Sequence, residues 1–274
     1  MESDHLIPFF FKYIHMNHAL ITGASKGIGR EIAFELARKK YNLVLVARSE
    51  DILLELCKQL EKEFGIRCHV IAADLTTEAG IDKTVKYVYD NSIALSILVN
   101  NAGYGLWGRF DETDLASTNA LMKINIFLPV NITYRLLANL AQNKPSYILN
   151  IASTTAYQAI PKLAVYAACK TFVVQFSRAL RYELKQTGIS VTCVSPGTTE
   201  SNFMYAAGMH SPHIRKKADK VMMKASTVAK FAVDSMFRKR NEVIPGWINK
   251  ISVALIPFFP KAMAEKIAAD IYKK

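Results

Sequence analysis

Residues 18–29 read HALITGASKGIG, and the fold is decided there. Residues 19–22 form a short apolar run of strand character, and a helical pattern begins near residue 28. Between them, Thr22-Gly23-Ala24-Ser25-Lys26-Gly27-Ile28-Gly29 sets three glycines at Gly-x3-Gly-x-Gly spacing. Glycine permits a tight turn and lets a pyrophosphate approach the backbone closely. The helix that follows offers unpaired N–H groups and the positive end of its dipole. The spacing is not that of the G-x-G-x-x-G fingerprint. The reading rests on position instead, because such a turn sits at the first strand–helix junction of dinucleotide-binding sheets.

Outward from this turn, apolar runs and amphipathic segments alternate. Strand-like runs fall at 19–22, 42–46, 68–72, 97–100, 147–151, 190–194 and, weakly, 241–245; helical patterns fall near 28–39, 50–64, 78–92, 112–142, 165–186 and 226–239. Continuous apolar strands separated by helices imply an α/β fold, a doubly wound parallel sheet covered on both faces. That makes three layers, Rossmann-like, in one domain over residues 17–245. Three segments fall outside the alternation. Residues 198–225, with Phe203, Met204, Tyr205, Met209, Met222 and Met223, form a long connection expected to act as a substrate lid. Residues 246–274 form an apolar and basic tail containing Trp247 and ISVALIPFFP at 251–260, expected to pack on the domain or at an interface. Residues 1–16 are an extension whose apolar part, LIPFFFKYI, is too short to span a bilayer. They are either an upstream addition to a start at Met16 or an arm that packs on the protein or a membrane.

The second strand run ends at Val46-Ala47-Arg48-Ser49. A carboxylate at this place would read the adenine ribose hydroxyls of NAD. Arg48 stands there instead, and Lys26 lies inside the glycine turn. Two cations where a 2′-phosphate would lie point to NADP(H). Ser49 is also placed to cap the next helix, whose first turn holds Glu50 and Asp51.

The chemistry-bearing residues gather after later strands. Tyr166-Ala167-Ala168-Cys169-Lys170 sets a phenol and an ammonium one helical turn apart on one face. A free phenol titrates near about 10, and an adjacent fixed cation favours its ionised form. Ser153 follows the fifth strand run, where ligands bind in this architecture. Asn125 is a polar amide between apolar neighbours and needs a partner or a task. Asn100-Asn101-Ala102-Gly103 ends the fourth strand run on the same side.

The chain has 35 Lys plus Arg against 23 Asp plus Glu, a net charge of +12, spread over triplets at 38–40, 215–217 and 238–240. Scattered triplets, two of them closing helices, describe a solvated surface, with a phosphate-bearing ligand or a membrane as further uses and no nucleic-acid partner. Cys57, Cys68, Cys169 and Cys193 lack metal or disulfide spacing, which points to reduced thiols in the cytoplasm and to no metal site. His210 and His213 are the closest histidine pair, without further ligand candidates nearby, and suit a surface loop.

TGASKGIG at 22–29, Asp74-Leu75 after the third strand run, NNAG at 100–103, Asn125, Ser153, YAACK at 166–170 and Pro196-Gly197 stand in one order. In that order the chain resembles the short-chain dehydrogenase/reductase family across roughly residues 17–245. The resemblance implies strand order 3-2-1-4-5-6-7 and a catalytic set of Tyr166, Lys170, Ser153 and Asn125. Tyr166 would exchange the proton, Ser153 orient the carbonyl, Lys170 bind the nicotinamide ribose, and Asn125 hold a water linking Lys170 to solvent. Gly23, Ser25, Lys26, Gly27, Ile28, Gly29, Arg48, Ser49, Asp74 and Leu75 would line the adenine half of the cofactor. Asn101, Ala102 and Gly103 would pack along the ribose, and Pro196, Gly197 and Thr199 would lie by the carboxamide. Here the family usually has an apolar residue and then a Thr, whereas this chain has Thr199 and Ser201.

The expected function is NADP(H)-dependent reduction of a ketone or aldehyde, or the reverse oxidation. Trp107 and the methionines of the long connection favour a bulky apolar substrate, 3-oxoacyl or lipid-like. The alternative is an NADP(H)-sensing module without turnover. Excess apolar residues on the helices near 112–142 and 165–186, among them Phe127 and Phe172, together with the family's habit, predict a homodimer or a tetramer of two. The tail adds a peripheral membrane contact as a further option.

Overall fold

The computed structural model describes residues 17–200, 205, 207–209 and 221–271. Phe203, Met204, Ser201, His210, His213, the 215–217 triplet and residues 1–16 lie outside them. The strands are β1 (His18–Thr22), β2 (Asn42–Ala47), β3 (Cys68–Ala72), β4 (Leu95–Asn100), β5 (Ser146–Ile151), β6 (Ile189–Val194) and β7 (Glu242–Val243). All pair in parallel, in the order 3-2-1-4-5-6-7. This is the expected doubly wound sheet. The reversal of order between β1 and β4 opens a crevice at the carboxyl ends of those strands.

Helices α1 (Gly27–Arg38), α2 (Glu50–Phe64) and α7 (Ala225–Phe237) cover one face; α3 (Glu78–Asp90), α5 (Leu128–Gln142) and α6 (Ala164–Glu183) cover the other. The two-residue period of the strands divides the core. In β1 and β2, Ala19, Ile21, Leu43 and Leu45 pack with Ile32, Leu36 and Val233, while Leu20, Val44 and Val46 pack with Val85, Val88 and Ile132. A strand buried on both faces must be apolar at every position, which is why these runs show no alternation.

The structure corrects the sequence reading in four places. The helix expected at 112–142 starts at Leu115 and is continuous to Gln142, but a π-helical turn at Lys123–Phe127 lies within it, between α4 (Leu115–Met122) and α5, with Asp114 capping α4 by accepting from Ser117 N at 2.8 Å. β4 starts earlier, at Leu95, and β7 shrinks to two residues. Ser49 occupies the N-cap of α2 but its hydroxyl caps nothing. The basic triplets at 38–40 and 238–240 close α1 and α7, as expected, with Lys39 and Arg238 at the C-caps. The tail folds into α8 (Trp247–Leu255), a 3-10 turn (Ile256–Phe258) and α9 (Lys261–Ile271). No helix among the described residues is long and apolar enough to cross a membrane.

Candidate active site

The glycine turn is braced by β4. Gly23 and Gly27 take φ values of +68° and +56°, which side chains rarely adopt. A Cβ on Gly29 would lie 2.4 Å from both Gly23 O and the Asn101 amide. The Thr22 hydroxyl donates to Val99 O at 3.1 Å and accepts from the N–H groups of Asn101 and Ala102 at 3.0 and 3.1 Å. The Asn101 amide donates to Thr22 O and Gly23 O. Its side chain therefore supports the turn, which leaves backbone rather than amide for a ligand beyond it. Lys26, at the N-cap of α1, supplies no side-chain acceptor, so the helix start keeps its affinity for an anion.

Arg48 lies exposed two residues past Val46, the register partner of Thr22. Asp74 follows β3 next to it. The Thr76 N–H, 3.0 Å from Asp74 Oδ1, holds that carboxyl below its usual range, and the Arg48 charge adds a smaller pull. Leu75 is buried in one cluster with Ile71, Ile81 and Val85, so its side chain serves the core.

On α6, Tyr166 and Lys170 are each 6% exposed. Lys170 Nζ donates to Ile151 O at 3.0 Å and lies 5.7 Å from the centre of the Tyr166 ring. Burial pushes the ammonium down to about 8. A Cβ on Gly103 would meet Asn125 Oδ1 at 2.6 Å and Lys170 Nζ at 3.5 Å, so glycine is what lets these groups converge. The π turn around Asn125 positions its amide: Nδ2 donates to Leu121 O and Tyr104 O, both at 3.0 Å, while the buried Oδ1 has no partner. Asn125 and Lys170 line a cavity of about 10 Å³, the scale of one water. Cys169 is buried on the same helix, and its thiol is pushed up to about 11 by burial, so it stays protonated and packs.

Ser153 starts a 3-10 turn (Thr154–Tyr157), and its Oγ accepts from Thr155 N at 3.2 Å. Three links hold this turn. Thr154 N donates to Pro196 O at 2.9 Å, Thr171 Oγ1 to Ala156 O at 2.8 Å, and Tyr157 Oη to Glu242 Oε1 at 2.7 Å. Tyr157 Oη also lies 3.0 Å from Ser195 Oγ, and Arg178 pairs with Glu242. Burial raises the Tyr157 phenol well above its ordinary range. Past β6, the Thr199 hydroxyl donates to Gly197 O at 3.0 Å, and Thr199 bridges Met223 in a short parallel pair. A Cβ on Gly197 would lie 2.5 Å from Asn249 Oδ1 of α8, so the tail packs directly on the Pro196-Gly197 segment.

The wall around Tyr166 is apolar. Tyr166 belongs to a cluster with Leu121, Ile160, Leu163, Met209 and Ala268, flanked by Trp107. Trp107 N donates to Ala207 O at 2.8 Å, which ties the long connection at Ala207 to the loop after β4. The structure thus brings Tyr166, Lys170 and Asn125 together and sets Ser153 two residues beyond the carbonyl that Lys170 grips. Sequence reasoning missed the brace at Thr22, the Tyr157–Glu242–Arg178 linkage, Asn249 and Ala268. Only Thr22, inside the quoted motif, carried a local signal.

The family model described as short chain dehydrogenase matches residues 17–210. The chain belongs to the short-chain dehydrogenase/reductase family and is an oxidoreductase of that class. It is 29% identical over 242 residues to a very-long-chain 3-oxoacyl-CoA reductase of Rattus norvegicus, covering 84% of this chain and 76% of that one. A bulky-bulky ketone specific alcohol dehydrogenase from Comamonas testosteroni superposes with TM-score 0.73 at 28% identity, covering 90% and 96% of the two chains. A short-chain dehydrogenase from Sphingobium yanoikuyae in complex with NADPH gives TM-score 0.73 at 28% identity, covering 90% and 97%.

Proposed function

We propose that the protein reduces a ketone or aldehyde on a bulky apolar substrate with NADPH, or oxidises the alcohol in reverse. The observation that carries this is the buried Lys170 ammonium, held between Ile151 O, Asn125 and the Tyr166 ring. A sheltered cation beside a phenol serves proton transfer and has no evident use in packing, where burying it is costly.

A nicotinamide dinucleotide fits the crevice, because Gly23 and Gly29 let the turn close against the end of β4 with the α1 start left uncapped by any side chain, and Gly103 keeps Cβ out of the space beside Asn125 and Lys170. Gly23, Ser25, Gly27, Ile28 and Gly29 would hold the pyrophosphate, and Lys26, Arg48 and Ser49 the 2′-phosphate. Asp74 and the Leu75 backbone would meet adenine. Asn101, Ala102 and Gly103 would line the ribose, and Pro196, Gly197 and Thr199 the carboxamide. The cofactor, when bound, supplies or accepts the hydride; the chain manages the proton. Tyr166 gives its phenolic proton to the substrate oxygen, which the Ser153 hydroxyl holds by donating to it. Lys170 lowers the cost of negative charge on the phenol and would bind the ribose hydroxyls. A water at Asn125 Oδ1 would return the proton from solvent. The NADPH-bound neighbour supports the cofactor, and the ketone and 3-oxoacyl relatives support the substrate class.

Tyr166→Phe should keep NADPH binding and lose turnover on the order of 10³-fold, since the proton donor is gone. Near-normal rates would defeat the mechanism. NADPH binding without turnover of any carbonyl by the wild type would favour a sensor. Phe127, Tyr134 and Phe172, exposed along α5, α6 and the turn before α5, support a homodimer through these helices. Light scattering should give twice the chain mass at micromolar concentration; a monomer would refute it.

A further inference from the structure

The tail exposes apolar side chains in a pattern that the catalytic reading does not use. On α8, Trp247, Ile248, Ile251 and Leu255 all face outward, at i, i+1, i+4 and i+8, while Asn249 and Val253 turn toward the domain. The following turn exposes Phe258 and Phe259, and α9 exposes Met263 and Ile267 while burying Ala268. Trp247 is 73% exposed and Phe258 82%. Of 18 large apolar residues exposed among the described residues, eight lie in these 21 positions, so this is a patch rather than the usual scatter.

Its charge identifies the occupant. From Gly246 to Ala264 there is no Asp or Glu, while Lys250 and Lys261 flank the apolar face, both exposed; Glu265 and Lys266 follow as a balancing pair, so the patch is net positive on a chain of net charge +12. An outward apolar stripe with a tryptophan and flanking lysines is the composition of a helix lying in the headgroup layer of an anionic bilayer. A second copy of the chain has a different apolar face available, at Phe127 and Phe172.

We infer that α8, the 256–258 turn and α9 dock the protein on anionic membrane surfaces. The same segment roofs the site, through Asn249 against Gly197 and Ala268 in the cluster around Tyr166. Docking would open the apolar side of the crevice toward lipid-borne carbonyl compounds. That consequence rests on the function proposed above, whereas the docking itself does not.

The test is sedimentation of the full chain with vesicles of phosphatidylcholine alone or with phosphatidylglycerol. The wild type should partition at least tenfold more strongly onto the phosphatidylglycerol vesicles, and less as salt rises. In a Trp107→Phe background, Trp247 emission should shift to shorter wavelength on binding. Ile251→Asp with Leu255→Asp, both at exposed positions, should lose partitioning tenfold or more, with melting temperature and NADPH affinity unchanged. No partitioning by the wild type would overturn the inference. So would partitioning unaffected by the double variant, which would assign the binding to another segment such as residues 1–16. A double variant that changes oligomer mass in light scattering, with a wild type indifferent to vesicles, would make the face a contact between copies and overturn it too. Failure of Tyr166→Phe to lose turnover would leave these outcomes unmoved.

Discussion

The crevice has two walls built in different ways. The wall formed by the β1 turn, Arg48 and Asp74 comes from the first three strands in sequence, and its glycine turn is closed by hydrogen bonds between Thr22 at the end of β1 and Val99 and Asn101 at the end of β4. The opposite wall draws on α4, α6, the loop at Trp107, the stretch of the long connection at Ala207 and Met209, and the tail, brought together by apolar contacts at Leu121, Met209 and Ala268. Hydrogen bonds of fixed geometry hold a single shape against a ligand that does not vary. Apolar contacts between separate segments tolerate substitution and rearrangement, which suits a wall that must be refitted for each substrate. Tyr166 and Lys170 stand where the two walls meet.

Lys170→Met should produce the largest change, because it strikes that junction. Turnover should fall on the order of 10³-fold. The stability of the cofactor-free protein should move the other way. The folded protein holds this ammonium at about 8 against an ordinary value of 10.5. Between those values the unfolded chain binds more protons, so stability rises with pH across the window, and below about 8 the full cost of burying the cation is present. Removing the charge, less the loss of the bond to Ile151 O, should add about 1–2 kcal/mol at pH 6–7. The gain should fade as pH rises toward 10.5 in urea titrations. A variant destabilised at pH 6 would show that Lys170 is structural.

Arg48→Asp tests the first wall alone. It should weaken NADPH by about 2 kcal/mol, roughly thirtyfold, and leave NADH nearly untouched. Equal losses for both in titration calorimetry would mean that Arg48 does not read the 2′-phosphate. Ala268→Arg tests the second wall alone. An arginine cannot be buried in the place of a side chain 1% exposed, so α9 must shift. The expected result is a several-fold rise in KM for a bulky substrate, at most about 1.4 kcal/mol, with NADPH affinity unchanged. If NADPH affinity fell as far as KM rose, the walls would not be separable.

The sequence by itself determined the sheet and the motifs that face the crevice. Buried parallel strands must be continuously apolar, and a turn closed this tightly on the end of β4 must have glycine where Cβ atoms would collide, so both are written locally. The Tyr166–Lys170 pair is written locally too, since helical periodicity alone puts them on one face. The tertiary structure decided what depends on neighbours distant in the chain. The π turn that carries Asn125 into the cavity lined by Lys170 is a widening within the expected helix, and nothing in KINIF announces it. Leu75 went to the core and Ser49 capped nothing, because packing and loop path, not motif membership, set where a side chain points. Glu242 reaches Tyr157 across 85 residues, and Ala268 reaches the cluster around Tyr166 across 102 positions of chain. Contacts of that range leave no periodic or compositional trace, because each partner sees the other only after the sheet has formed.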